Sequence, residues 1–209
     1  DGKGAGKFEV VGTEGTRLHR ISDDREGWAL SLQTLINSYL VPGSPEAVFD
    51  YSEIRPAGAP IKTFGGSASG PEPLKELHDS VRVILEARIG QKLTLTDIAD
   101  IGNLIGVCVV AGNVRRSAEL FMGPATPEFL GLKDYSQESG QRRASWSLMS
   151  NNSVETTVTE DLDAVVPGII ANGEPGVIWM DTTRAYGRLV DPPNYKDHRA
   201  AGYNPCAEQ

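Results

Sequence analysis

Apolar positions recur at helical spacing in three long stretches of the chain. Trp28, Leu32, Leu35, Ile36 and Tyr39 form the first, and steps of three and four residues predict one buried helix face. Ser22 or Asp23 can cap this helix. Asp24 and Glu26 fall in its first turn, where the helix dipole favours anions, and Pro42-Gly43 ends it. Leu74, Leu77, Val81, Ile84 and Leu85 make the stripe of a second helix, with Pro73 in its first turn and Gly90 at its end. His78 lies on this helix and is expected to be partly exposed. A third helix starts at Thr94 or Thr96. It turns Ile98, Ile101, Leu104, Ile105, Cys108 and Val109 to the core and stops at Gly112. Shorter apolar runs predict strands over residues 8–11, 47–51, 118–122, 145–149 and 177–180. A short helix is expected over 127–132, and another from Thr159 to about Ala171. Residues 54–71 are too rich in Gly and Pro for a regular element. Helices alternating with strands predict an α/β fold.

Composition narrows the class. The chain has 209 residues, 39% apolar and 23% charged, an ordinary globular mixture of the size of one to one and a half domains. The net charge of −8 argues against binding a nucleic-acid backbone, though not against a local site for one nucleotide. No apolar run approaches the length of a membrane span, and no signal peptide is visible. Two cysteines, Cys108 and Cys206, cannot make a disulfide scaffold. The expected setting is therefore the reducing cytoplasm. The sequence starts at Asp1 without Met and stops after a dense motif at Gln209, so it is expected to be cut at both ends.

That motif is Asn204-Pro205-Cys206-Ala207-Glu208. Pro205 favours extended backbone, in which alternate side chains share one side. Asn204, Cys206 and Glu208 then face one small ligand. An amide can hold a hydroxyl, a carboxylate can take its proton, and a thiol can do covalent or radical work. The competing reading is a surface turn with an incidental cysteine. Cys108 sits in the apolar stripe and reads as a buried structural thiol. Arg115 and Arg116 follow a helix end and could clamp phosphates. They could equally be one solvent-facing arginine and one structural ion pair. The Gly-rich stretch 64–70 matches neither phosphate-loop nor dinucleotide fingerprints. Ser150-Asn151-Asn152-Ser153 falls at an expected strand end, either a place for ligand contacts or a polar turn. Histidines 19, 78 and 198 have no ligand spacing, so no metal site is predicted.

Four stretches together resemble the catalytic subunit of ribonucleotide reductases, most nearly the monomeric adenosylcobalamin-dependent (class II) type acting on triphosphates. They are SDDREGWALSL, IRPAGAPIKTFGGSASGPEPL, IGNLIGVCVVAGNVRRSAELFMG and NPCAEQ. The resemblance spans residues 20–209 and implies the first half of a ten-stranded α/β barrel. Residues 1–20 are then the tail of an insertion or linker, and 21–209 the partial barrel. By this likeness Cys206 becomes the thiyl radical that takes hydrogen from the ribose 3′-carbon. Glu208 deprotonates the 3′-hydroxyl, and Asn204 holds the substrate hydroxyls. Gly112, Asn113, Val114, Arg115, Arg116 and Ser117 match the loop that links effector to substrate base, with Arg115 contacting substrate. Asp23, Arg55 and Lys62 match positions near an effector nucleotide's sugar and phosphates.

The implied reaction reduces ribonucleoside triphosphates to DNA precursors, with a deoxynucleotide effector, a thioredoxin-like reductant and a monomeric full-length enzyme. Adenosylcobalamin supplies the initial radical, mostly through contacts outside this stretch. The family's reducing cysteine pairs are also expected outside it, and the fragment alone should be inactive and poorly stable. The alternatives are a non-catalytic nucleotide-binding module and a reductase of another radical class.

Overall fold

The structure is a computed structural model that describes residues 10–61, 65–111, 118–188 and 190–205. The chain divides into two compact units, one running to Ser117 and the other from Ala118 onward.

The first unit contains β1 (Thr16–Arg20), α1 (Arg25–Leu40), β2 (Glu46–Asp50), α2 (Glu72–Glu86) and α3 (Leu95–Val110). β1 and β2 pair in parallel, with Leu18 opposite Val48. Parallel neighbours need a crossover, which α1 supplies. β1 has no counterpart among the predicted strands. Its sequence, TRLHR, is largely polar and Leu18 is exposed, so backbone pairing rather than burial makes it a strand. Residues 16–20 are thus tied to β2, and the Ile21 N–H continues the link to the Asp50 carbonyl at 3.0 Å. Asp24, one residue past the expected caps, closes the start of α1 by accepting the Gly27 N–H at 2.6 Å. Gly27 is required there, because a Cβ would stand 2.6 Å from the Ser22 carbonyl oxygen.

The apolar stripes of α1 and α2 meet as expected. Leu35, Tyr39, Leu74, Leu77, Val81 and Leu85 are buried together with Ile21, Ile54 and Leu93. Each fully buried leucine contributes about 2 kcal/mol by removal from water. α3 departs from its prediction only at Val109. Its buried positions include Ala99, Asn103, Gly106 and Cys108, while Val109 is 50% exposed. Val109 lies a hundred degrees around the helix from Cys108, so the two cannot share a narrow contact. Cys108 joins the core cluster as expected, and Ile98, Ile101, Leu104 and Ile105 pack against it half-buried.

Thr94 caps α3 reciprocally. Its hydroxyl accepts the Asp97 N–H at 3.2 Å, and Asp97 accepts the Thr94 N–H at 2.8 Å. Asp97 also receives Arg88 Nε at 2.7 Å. Thr94→Ala should cost about 1 kcal/mol, read as a lower urea midpoint with an unchanged slope.

The second unit contains β3 (Glu119–Gly123), α4 (Pro127–Leu130) with a following 3-10 turn (Gly131–Lys133), α5 (Glu138–Ser147), β4 (Ser150–Thr156), α6 (Val166–Asn172), β5 (Gly176–Trp179) and α7 (Met180–Ala185). The three strands form a parallel sheet in the order β3-β4-β5. The strand expected over 145–149 is instead the end of α5, and β4 begins just after it. α5 buries Gly140, Arg143 and Ser147, residues that carry no apolar signal. A Cβ at Gly140 would meet the Asp134 carbonyl oxygen at 2.0 Å. The helix expected from Thr159 starts only at Val166, and α7 was not predicted. Lys133 is buried and joins three pieces. Its ammonium donates to the Ser150 carbonyl at 2.5 Å and pairs with Glu174 at 2.7 Å. Its own carbonyl accepts Asn172 Nδ2 at 2.7 Å.

The parallel α/β class is thus as expected. Among the described residues, no helix is long and apolar enough to cross a membrane.

Candidate functional site

The second unit builds one side of a site from β4. Side chains alternate along a strand. Ser150, Asn152 and Val154 share one face and are buried, and Asn151 and Ser153 share the other, where Asn151 is exposed and Ser153 buried. There Leu120 stands opposite Asn151, and Met122 opposite Ser153. The polar quartet 150–153 is therefore the opening of β4 rather than a turn or the end of a preceding strand.

The segment leading to the Asn204-Pro205-Cys206 motif is tied to this sheet and to α7. Arg184 Nε donates to the Ala200 carbonyl at 2.9 Å, and Arg184 also lies 3.8 Å from the Glu155 carboxylate. A Cβ on Gly202 would come 2.9 Å from the Met122 sulfur, so backbone runs closely past β3. The Tyr203 and Thr183 hydroxyls bond to each other. Asn151 Nδ2 donates to the Pro205 carbonyl at 2.8 Å. Beside these ties is a cleft of about 660 Å³, lined by Leu120, Asn151, Trp179, Thr182, Tyr186 and Tyr203 among others. Apolar walls with a few polar groups suit an organic ligand.

The first unit carries a second cleft of about 550 Å³ past the end of β2, bounded by Asp50, Tyr51, Pro56 and Lys75. Under it lies a chain of hydrogen bonds. Ser31 donates its proton to the Trp28 carbonyl at 2.7 Å. Its oxygen must then accept from His78 Nε2, 3.0 Å away. That leaves Nδ1 bare to accept the Tyr51 hydroxyl at 2.8 Å. His78 is only 1% exposed, contrary to its expected partial exposure. Burial, and secondarily the Arg82 charge, push its pKa down to about 4. Burial and the Asp79 charge push Tyr51 up to about 12. Lys75 stands 5.5 Å above the Tyr51 ring.

Among the sequence-identified residues, Asp23 and Arg55 are brought together. Arg55 Nε donates to Asp23 Oδ2 at 2.5 Å. One guanidinium nitrogen is used, and two remain able to reach another acceptor. Asn204 is exposed within the tethered segment. Cys206, Glu208, Lys62 and the loop Gly112, Asn113, Val114, Arg115, Arg116 and Ser117 lie outside the described residues. Cys108 is buried, and burial followed by the Glu76 charge raises its thiol to about 11. The contacts of Thr183, Arg184 and Tyr203 carried no sequence signal. Asn151 and Pro205 are 54 positions apart, beyond any local pattern.

Among the described residues, no three His, Cys, Asp or Glu side chains converge on a metal position. The two clefts have the size of sites for drug-sized ligands. A corrin cofactor with its nucleotide arm is larger, so neither cleft by itself encloses cobalamin.

Residues 4–85 match the family model described as the insertion domain of B12-dependent ribonucleotide reductase. A probable adenosylcobalamin-dependent ribonucleoside-triphosphate reductase of Dictyostelium discoideum is 48% identical over 90% of this chain and 25% of its own length. The adenosylcobalamin-dependent ribonucleoside-triphosphate reductase of Euglena gracilis is 45% identical over 100% of this chain and 29% of its own. That of Lactobacillus leichmannii is 41% identical over 97% and 28%. A crystal structure of a B12-dependent (class II) ribonucleotide reductase superposes with a TM-score of 0.80 at 35% identity, covering 96% of this chain and 28% of that one. The chain spans between a quarter and a third of the length of these relatives. In sequence and in fold, the chain matches a segment of the adenosylcobalamin-dependent ribonucleotide reductases.

Proposed function

We propose that this chain is the part of a ribonucleotide reductase that carries the radical cysteine and effector-binding residues. The reaction is reduction of ribonucleoside triphosphates at the 2′-carbon, supplying DNA precursors. The observation that carries this reading is identity of 41–48% over 90–100% of the chain to relatives named for that activity. The same stretch contains the thiol, amide and carboxylate that the chemistry requires.

In this reading the chain's own residues divide the work. Asn204 hydrogen-bonds the ribose hydroxyls and orients the sugar. The Cys206 sulfur, as a radical, takes the 3′-hydrogen atom. Glu208 takes the 3′-hydroxyl proton, which favours loss of water from the neighbouring carbon. Arg115 and its loop contact the substrate, and Asp23, Arg55 and Lys62 serve the effector. For Arg55 to hold a phosphate, its terminal nitrogens must engage while Nε keeps Asp23. The full-length protein is read as a cytoplasmic monomer using a thioredoxin-like dithiol. The adenosylcobalamin named for the relatives is assigned mostly to contacts outside the described clefts, which do not enclose it by themselves.

The test is an assay of the full-length protein with a ribonucleoside triphosphate, a dithiol and adenosylcobalamin. The expected product is the 2′-deoxynucleotide, with no product when adenosylcobalamin is omitted. Turnover without the cofactor would overturn the assignment to this radical class. A preference for diphosphates would overturn the substrate class.

A further inference from the structure

We propose that Asn151 is a positioning residue for Cys206, acting through the backbone carbonyl that precedes the thiol residue. The proposal deepens the function proposed above and rests on it. Pro205 has no N–H, so its carbonyl is its only backbone hydrogen-bonding group. That carbonyl accepts Asn151 Nδ2 at 2.8 Å. It belongs to the peptide bond into Cys206, and a peptide unit is planar. A donor that fixes the carbonyl direction therefore fixes the plane through which the chain enters the thiol residue.

Asn151 suits this task. It lies in the central strand β4, between the buried Ser150 and Asn152, with β3 paired beside it. A side chain rooted in a sheet holds position better than one on a loop. The tether is also supported upstream. Arg184 holds the Ala200 carbonyl, and Thr183 holds the Tyr203 hydroxyl. Asn151 supplies the last tie before the cysteine. Its partner is an acceptor only, so it must present its amide nitrogen, and an aspartate there could not donate.

The test uses the full-length enzyme with Asn151→Asp, Asn151→Gln and Thr183→Val. Misplacing a reacting group by about 1 Å costs about 100-fold, and Asn151→Asp should lower kcat by about that factor with little change in KM. Asn151→Gln keeps the donor and should recover part of the loss. Thr183→Val should act in the same direction, but less, because Asn151 remains. A second readout needs neither cofactor nor turnover. Iodoacetamide labelling of Cys206, followed by peptide mass spectrometry against the buried Cys108 as internal reference, should quicken several-fold in Asn151→Asp. Wild-type kcat and labelling rate in Asn151→Asp would overturn the proposal, and so would labelling that quickens at Cys108 equally. Loss of turnover in Asn151→Asp with an unchanged labelling rate would also overturn it. Failure of the parent reading is distinct: Cys206→Ser would then retain turnover, while the labelling comparison would still report on the tether.

Discussion

Cys206→Ser in the full-length protein is expected to abolish deoxynucleotide formation while leaving nucleotide binding intact. Oxygen in place of sulfur keeps the shape of the side chain, slightly smaller and more strongly hydrogen-bonding. It does not keep the weak bond to hydrogen that lets the residue become a radical and later return the atom. Loss of an essential covalent or radical group costs at least about 10⁴-fold in kcat. Binding should survive because Asn204, Glu208 and the basic positions are unchanged, and a change in Kd beyond about threefold would be a shift of more than about 0.6 kcal/mol. The comparison is steady-state turnover beside equilibrium dialysis of the triphosphate. Glu208→Gln should be milder, about 10²–10⁴-fold, the range for a general base. Turnover by Cys206→Ser at the wild-type rate would leave only a nucleotide-binding reading of the chain.

The second large effect is a pH dependence of stability in the first unit. His78 has a pKa of about 4 in the folded chain against 6.5 for a free histidine. Between those values the unfolded chain binds a proton that the folded chain refuses. Stability therefore rises with pH across that window and is lost as pH falls from 6.5 towards 4. The shift bounds the loss at about 3 kcal/mol. The cause is geometric. Protonating Nδ1 would turn the Tyr51 hydroxyl from a donor into a required acceptor, inside a site packed by Phe49 at 4.3 Å. Urea midpoints at pH 7.5 and 5.0 should differ markedly for the parent chain. Trp28 fluorescence reports this unit once Trp146 and Trp179 are replaced by Phe. His78→Gln cannot titrate there and should flatten the difference. An equal pH slope in His78→Gln would assign the effect to other groups.

His78 also illustrates where reading from sequence alone stops. It is a polar residue in a helix whose stripe is marked by Leu74, Leu77 and Val81, and nothing local says it is buried. Its partners are Ser31 on α1 and Tyr51 after β2, both distant along the chain. α5 is the same lesson in reverse. Its inward positions are Gly140, Arg143 and Ser147, so apolar periodicity was blind to it, and the apolar residues near its end resembled a strand. By contrast, the first two helices were legible because large apolar side chains mark their inner faces, and β2, β3 and β5 because each is a short run of apolar residues. The proposed chemistry rests on the motif around Cys206, which is read from the sequence. The support beneath that motif was not legible there.

The sequence by itself determined which chemistry is available, because a thiol, an amide and a carboxylate at alternate positions are a local property of the chain. It also determined the α/β class, through spacing that only one kind of element can bury. The tertiary structure alone decided that a polar residue in β4 holds the carbonyl leading to the thiol. It likewise decided that a histidine in α2 is kept neutral between a serine and a tyrosine. Both depend on contacts between segments far apart in the chain, and those exist only once strands and helices have packed.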